Sequence, residues 1–201
     1  MKPVAFGRRL ALLLPVVAVL AGCNSMLAQN PDSAMRPVNA VRDGDESRLM
    51  LRGFDVVAYR EQAQAVRGSP AFRTDFEGVT YFFASAEHLA KFKNAPQQYQ
   101  PAYHGYDAMR MVFAIPELAD PNVWRMVDGR VFIFTDAASK AAFELDLAGN
   151  IAQADRYWKS EVAGSNATWQ WLWRSVDHVP HYRSRAELAD AVAQAQGKAG
   201  G

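Results

Sequence analysis

Residues 70–92 read PAFRTDFEGVTYFFASAEHLAKF, and residues 121–143 read PNVWRMVDGRVFIFTDAASKAAF. In the first stretch Phe72, Thr74 and Phe76 alternate with polar neighbours, the pattern of a half-buried strand. Glu77-Gly78 has the composition of a tight turn, and Val79–Phe83 is β-branched and aromatic. Ser85 is a good helix N-cap, and Ala86, Leu89, Ala90 and Lys93 follow at helical spacing. The stretch therefore predicts strand, turn, strand, helix. The second stretch repeats this grammar without a gap. Pro70 matches Pro121, Gly78 matches Gly129, Phe83 matches Phe134 and Phe92 matches Phe143. Tyr81 pairs with Phe132, and Tyr106 falls opposite Tyr157. Asp128-Gly129 between apolar runs is a strong hairpin signal, and Asp136 stands where Ser85 stands as the cap. We expect an α+β fold of two ββα units, about 70–107 and 121–158, related by an internal repeat. The two units should bury their apolar faces against each other.

The flanking segments fill in the rest. Upstream, LRGFDVVAYR holds the apolar run Phe54–Tyr59, which predicts a strand. Between the copies the chain starts as a loop. A short helix is then expected around Met109, Val112 and Phe113, ended by Pro116. LAGNIAQADRYW, residues 147–158, reads as helical. Residues 164–183 read as irregular apart from Trp169, Trp171 and Trp173, whose alternation suggests one buried face of an extended segment. A stacking platform or a membrane-interface patch is the other use of such a stripe. The C-terminal segment opens on a capping box, Ser184 with Glu187, and predicts a helix with Leu188, Ala191, Val192 and Ala195 on one face.

The N-terminus carries a different signal. Lys2, Arg8 and Arg9 precede the uncharged run Leu10–Ala21. Twelve residues are too few for a membrane span of about 20 but suit the apolar region of a signal peptide. Ala21 and Gly22 lead straight into Cys23, the single cysteine of the 201 residues. Leu-Ala-Gly-Cys resembles the lipobox of bacterial lipoproteins. That resemblance implies cleavage after residue 22 and acyl chains on Cys23. With Asn24 after the cysteine, it implies retention at the outer membrane, facing the periplasm. Residues 23–48 then form the lipidated N-terminus and a tether rich in proline and polar residues. A coil of that length reaches about 25–30 Å.

Removal of residues 1–22 takes three cations from a net charge of +1 and leaves −2. There is no basic excess, so nucleic acid is not an expected partner. With the one thiol lipidated, the mature chain has no disulfide and no cysteine nucleophile. Any metal site must use histidine and carboxylates. The chain lacks G-x-S-x-G, H-E-x-x-H, a Walker loop and G-x-G-x-x-G, so no enzyme signature is present.

The strings LRGFDVVAYR, GSPAFRTDFEGVTYFFASAEHLAKFKNAPQQYQPAYHGYDA and VDGRVFIF, in that order, resemble the exported YHS-domain proteins. The similarity covers residues 49–158 and leaves 159–201 as a Trp-rich segment plus C-terminal helix. It implies a small α+β domain associated with metal handling, with Tyr81, Ser85 and His88 in the segment that names the family. Cysteines that relatives carry are missing here. Phe83-Ala84-Ser85 stands where cysteine-bearing relatives read F-C-S, and His104-Gly105-Tyr106-Asp107-Ala108 stands where exported relatives read G-G-Y-C-A.

Two functions follow as expectations. The first is a binding module for a metal ion or a small ligand, with a pocket near Tyr81, Ser85, His88 and Tyr106; in the metal version His88, His104 and Asp107 hold a divalent ion such as zinc or copper(II). In the competing reading of the same residues, His104 is a loop residue and Asp107 caps the following helix. The second function is a non-catalytic scaffold that has lost the cysteine site and holds an envelope partner through the Trp-rich region. His178 and His181 form a further spaced pair, but Pro180 argues for a loop.

Overall fold

The computed structural model describes residues 40–43 and 46–199, all within one compact unit, Ala34–Gly201. The expected signal peptide, Cys23 and the expected tether up to residue 39 lie outside the described residues. Strands and helices are both present, and the class is α+β.

The first hairpin joins β3 (Ser69–Phe76) to β4 (Val79–Phe83), and α2 (Ala86–Asn94) follows. The second joins β5 (Asp120–Val127) to β6 (Arg130–Phe134), followed by α5 (Ala137–Glu144). Both turns hold two residues at positive φ: Glu77 at 51° with Gly78 at 72°, and Asp128 at 49° with Gly129 at 76°. That backbone matches the twist of the flanking strands and favours glycine at the second place. Both expected caps are in place. Ser85 Oγ accepts from the His88 amide at 3.1 Å, and Asp136 Oδ1 from the Ser139 amide at 2.8 Å.

Two sequence expectations are corrected upstream. Part of the expected tether is strand: β1 (Ala40–Asp43) pairs antiparallel with β2 (Glu46–Met50). β2 lies parallel to β4, giving a four-stranded sheet in the order β1-β2-β4-β3. The expected strand Phe54–Tyr59 is instead a turn that leads into α1 (Ala58–Glu61). Asp55 explains the difference. Its Oδ1 accepts the Val57 amide at 2.8 Å, and this local bond outweighs the strand preference of Val56 and Val57.

After α2 the chain makes α3 (Pro96–Tyr99), a tight turn at Ala102–Gly105 and α4 (Ala108–Met111), the expected short helix. α6 (Leu147–Tyr157) runs into a wide turn, Trp158–Val162. The segment expected to be irregular contains α7 (Ala167–Val176), and α8 (Arg185–Ala199) ends the described chain. The Ser184–Glu187 capping box closes as expected, with Oε2 taking the Ser184 amide at 2.7 Å.

β6 is the centre of the molecule. Phe132 and Phe134 enter a core with Phe113, Phe143 and the helices after it, which Leu188 of α8 also joins. Val131 and Ile133, on the other face, enter the core of the first hairpin with Tyr81, Phe83 and Phe92. Tyr59 adds a second seam between the hairpin units, with its hydroxyl 2.8 Å from the Pro121 carbonyl and its ring edge-on to Trp124.

Candidate functional site

The expected site residues divide between two buried carboxylates. Asp55 is fully buried, and its Oδ2 takes the Ala84 amide at 2.8 Å and approaches His88 Nδ1 to 2.6 Å. Asp107 is equally buried. Its Oδ1 takes the Arg110 amide at 2.8 Å, and its Oδ2 takes the Thr135 amide at 2.6 Å and the hydroxyls of Thr135 and Ser139. The two constellations share an outline but differ in detail: Asp55 takes the amide two residues on, whereas Asp107 takes the amide three residues on and a threonine hydroxyl besides. Each aspartate stands just after a stretch of positive φ, Leu51–Gly53 in one case and Tyr103–Gly105 in the other. Each precedes a short helix, which Asp107 caps directly, and each ties down the end of a hairpin and holds the first turn of the next helix. His88 and Ser139 fill equivalent places. In the sequence Asp107 stands as both a candidate metal ligand and a candidate helix cap, whereas Asp55 is not singled out. The shared strings Gly53-Phe54-Asp55 and Gly105-Tyr106-Asp107 were the signal that could have found the pair.

This geometry does not bring His88, His104 and Asp107 together. His88 is committed to Asp55, and Asp107 acts as the helix cap of the competing reading, with three further donors. His104, half-buried, stands edge-on to Trp158 at 5.0 Å. Among the described residues, no three of His, Cys, Asp and Glu gather closely enough to hold a metal ion. Tyr81 and Tyr106 are core residues, and Ser85 is a cap. Burial pushes the Tyr81 phenol up to about 12. Its hydroxyl lies 3.4 Å from Gln100 Nε2. His178 stacks on Tyr182 at 3.6 Å, and His181 Nε2 lies 3.1 Å from the Val112 carbonyl, so the two rings serve different contacts.

Two other features present themselves. The first is α7, where the expected burial of the tryptophans is reversed. Trp169, Leu172, Trp173 and Val176 fall at i, i+3, i+4 and i+7 and are 58%, 45%, 59% and 78% exposed. The polar residues turn inward instead. Gln170 Nε2 donates to the Ala114 carbonyl at 3.2 Å, and Arg174 Nη2 pairs with Glu161 at 2.5 Å. The second is a cavity of about 330 Å³ between the first turns of α5 and α8. Met109, Ala138, Leu188 and Ala189 supply apolar walls, and Arg110 and Arg185 bring cations. Neither arginine carried a recognisable motif.

Comparison with family models, with curated proteins and with solved structures found no match for this chain.

Proposed function

We propose that the protein is a non-catalytic envelope protein of the YHS type, built from two copies of a ββα unit and anchored through acyl chains on Cys23. In this reading it faces the periplasm from the outer membrane, and its body docks on the membrane surface through α7. The observation that carries the docking is the outward apolar stripe of α7 over inward Gln170 and Arg174. A helix normally buries such a stripe. Tryptophan suits the headgroup layer because its ring is apolar and its N–H needs a polar partner. Residues 24–39, taken as a coil, would hold the start of the folded body about 20–24 Å from the lipid. The matched surroundings of Asp55 and Asp107 support the duplication. Metal binding, the other expectation from the family, has no ligand set among the described residues.

The test uses the full chain in vesicles of phosphatidylethanolamine and phosphatidylglycerol, with and without brominated acyl chains. Brominated lipid should quench tryptophan emission, and a Trp169→Phe/Trp173→Phe variant should lose most of that quenching. Equal emission in both vesicles would refute docking on the bilayer and make the stripe a face for a protein partner. Lipidation is read separately, from the mass of the mature N-terminal peptide in wild type and Cys23→Ser.

A further inference from the structure

We propose that the cavity between α5 and α8 binds a small organic acid, with the carboxylate held by Arg185 and Arg110 and a short apolar body lying against Met109, Leu188 and Ala189. The inference is independent of membrane docking, because α7 contributes no residue to the cavity wall.

Shape and lining set the ligand class. A volume of about 330 Å³ is at the small end of ligand pockets, suited to a metabolite rather than a peptide. The wall is mainly apolar and holds two arginines, so it fits a molecule with an apolar body and an anionic group. Two helices, α5 and α8, begin at the cavity and direct the positive ends of their dipoles toward it. Two guanidinium groups join them.

The state of those guanidinium groups is the independent observation. Arg110 is only 9% exposed, yet its Nη1 is buried with no hydrogen-bond partner. Its Nε pairs with Glu117 at 3.0 Å, and its flat face lies over Tyr182 and Phe113. That nitrogen is sealed from the cavity, and Arg110, which lines the cavity with its other atoms, is held in place by Glu117 and the two rings. Arg185 is half-exposed and also pairs with Glu117, while its Nη1 stands 3.5 Å from Asp136 Oδ2, at the limit of a bond. One carboxylate, Glu117, is therefore shared by two arginines, and Glu117 does not line the cavity. Asp136 does, but its Oδ1 is spent on capping α5. A ligand carboxylate would give the half-exposed Arg185 a partner of its own, and it matches the fork of a guanidinium.

Calorimetric titration of the full chain in non-ionic detergent tests this, with hexanoate and hexan-1-ol as probes and detergent alone as the blank. Hexanoate should bind at least about tenfold more tightly than the alcohol of equal length, the difference a charge-assisted bond makes. Arg185→Gln, at a half-exposed position, should remove most of that preference. Ala189→Phe, which fills the cavity and keeps both arginines, should abolish binding of either probe. Equal binding of acid and alcohol would overturn the anion site. So would no binding of hexanoate to wild type, or undiminished binding to Ala189→Phe.

Discussion

Asp107 is an anion buried beyond the reach of water, and its donors make that tolerable. Two backbone amides and two hydroxyls surround it, and each bond to a carboxylate is stronger than its neutral counterpart. Asp107→Ala leaves the Thr135 and Arg110 amides and the Ser139 hydroxyl without this acceptor. The expected cost is about 3 kcal/mol or more, read from urea unfolding. A loss under about 0.5 kcal/mol would mean that water replaces the carboxylate and that the group is incidental to the fold. At this scale the sequence was half legible. It marked Asp107 as unusual and offered capping as one of two explanations. It could not show that the same oxygens also reach a hairpin end and Ser139, because those partners are about 30 residues away.

Elements were legible where local chemistry decides them. Hairpin turns, caps and α8 follow from turn and cap residues acting within a few positions. α1 and α7 were missed for opposite reasons. At Phe54–Tyr59 one side-chain bond from Asp55 overrides a run of strand formers. At Trp169–Trp173 a two-residue alternation hides a helical stripe, whose outward orientation is set by Gln170 and Arg174 finding partners inside. Elements are also fastened to each other by charge. Arg130 of β6 grips Asp155 of α6 with two bonds, at 2.8 and 2.6 Å, and the Tyr103 hydroxyl adds a third at 2.8 Å. The Arg130 bond, chiefly, holds the Asp155 carboxyl below its usual value of 3.8. A carboxyl depressed in the folded state adds stability that is present above the unfolded value and lost as pH falls through the folded one. Both partners are about two-fifths exposed, so screening limits the contribution to about 1 kcal/mol. Asp155→Asn should therefore lower the urea midpoint at pH 7, and the gap to wild type should close below about pH 4. A gap of constant size across that range would show that the effect is packing rather than charge.

For the whole molecule the decisive fact is that β6 serves two cores at once. Its run Val131–Phe134 is buried on both faces, as a continuous apolar strand suggests. The sequence indicated that the units pack together. It did not indicate that one strand lies between two cores, because that depends on how the units stack. Ile133 and Phe132 point to opposite cores, so damage to one should be felt by both. Ile133→Ala should cost about 3 kcal/mol and leave a single calorimetric transition at a lower temperature. Two separated transitions would show that the cores melt independently.

The cavity at the start of α8 has a consequence for the order in which the chain is made. One of its walls comes from residues 185–189, which follow both hairpins in the sequence. The ribosome completes both hairpins and most of both cores before that wall exists. A nascent chain, or one cut short after Tyr182, would carry the fold's central strand and both its buried aspartates yet have no chamber to fill. A filled chamber requires that α8 has been made and has packed on α5, and a molecule held there would fasten α8 to the units made before it.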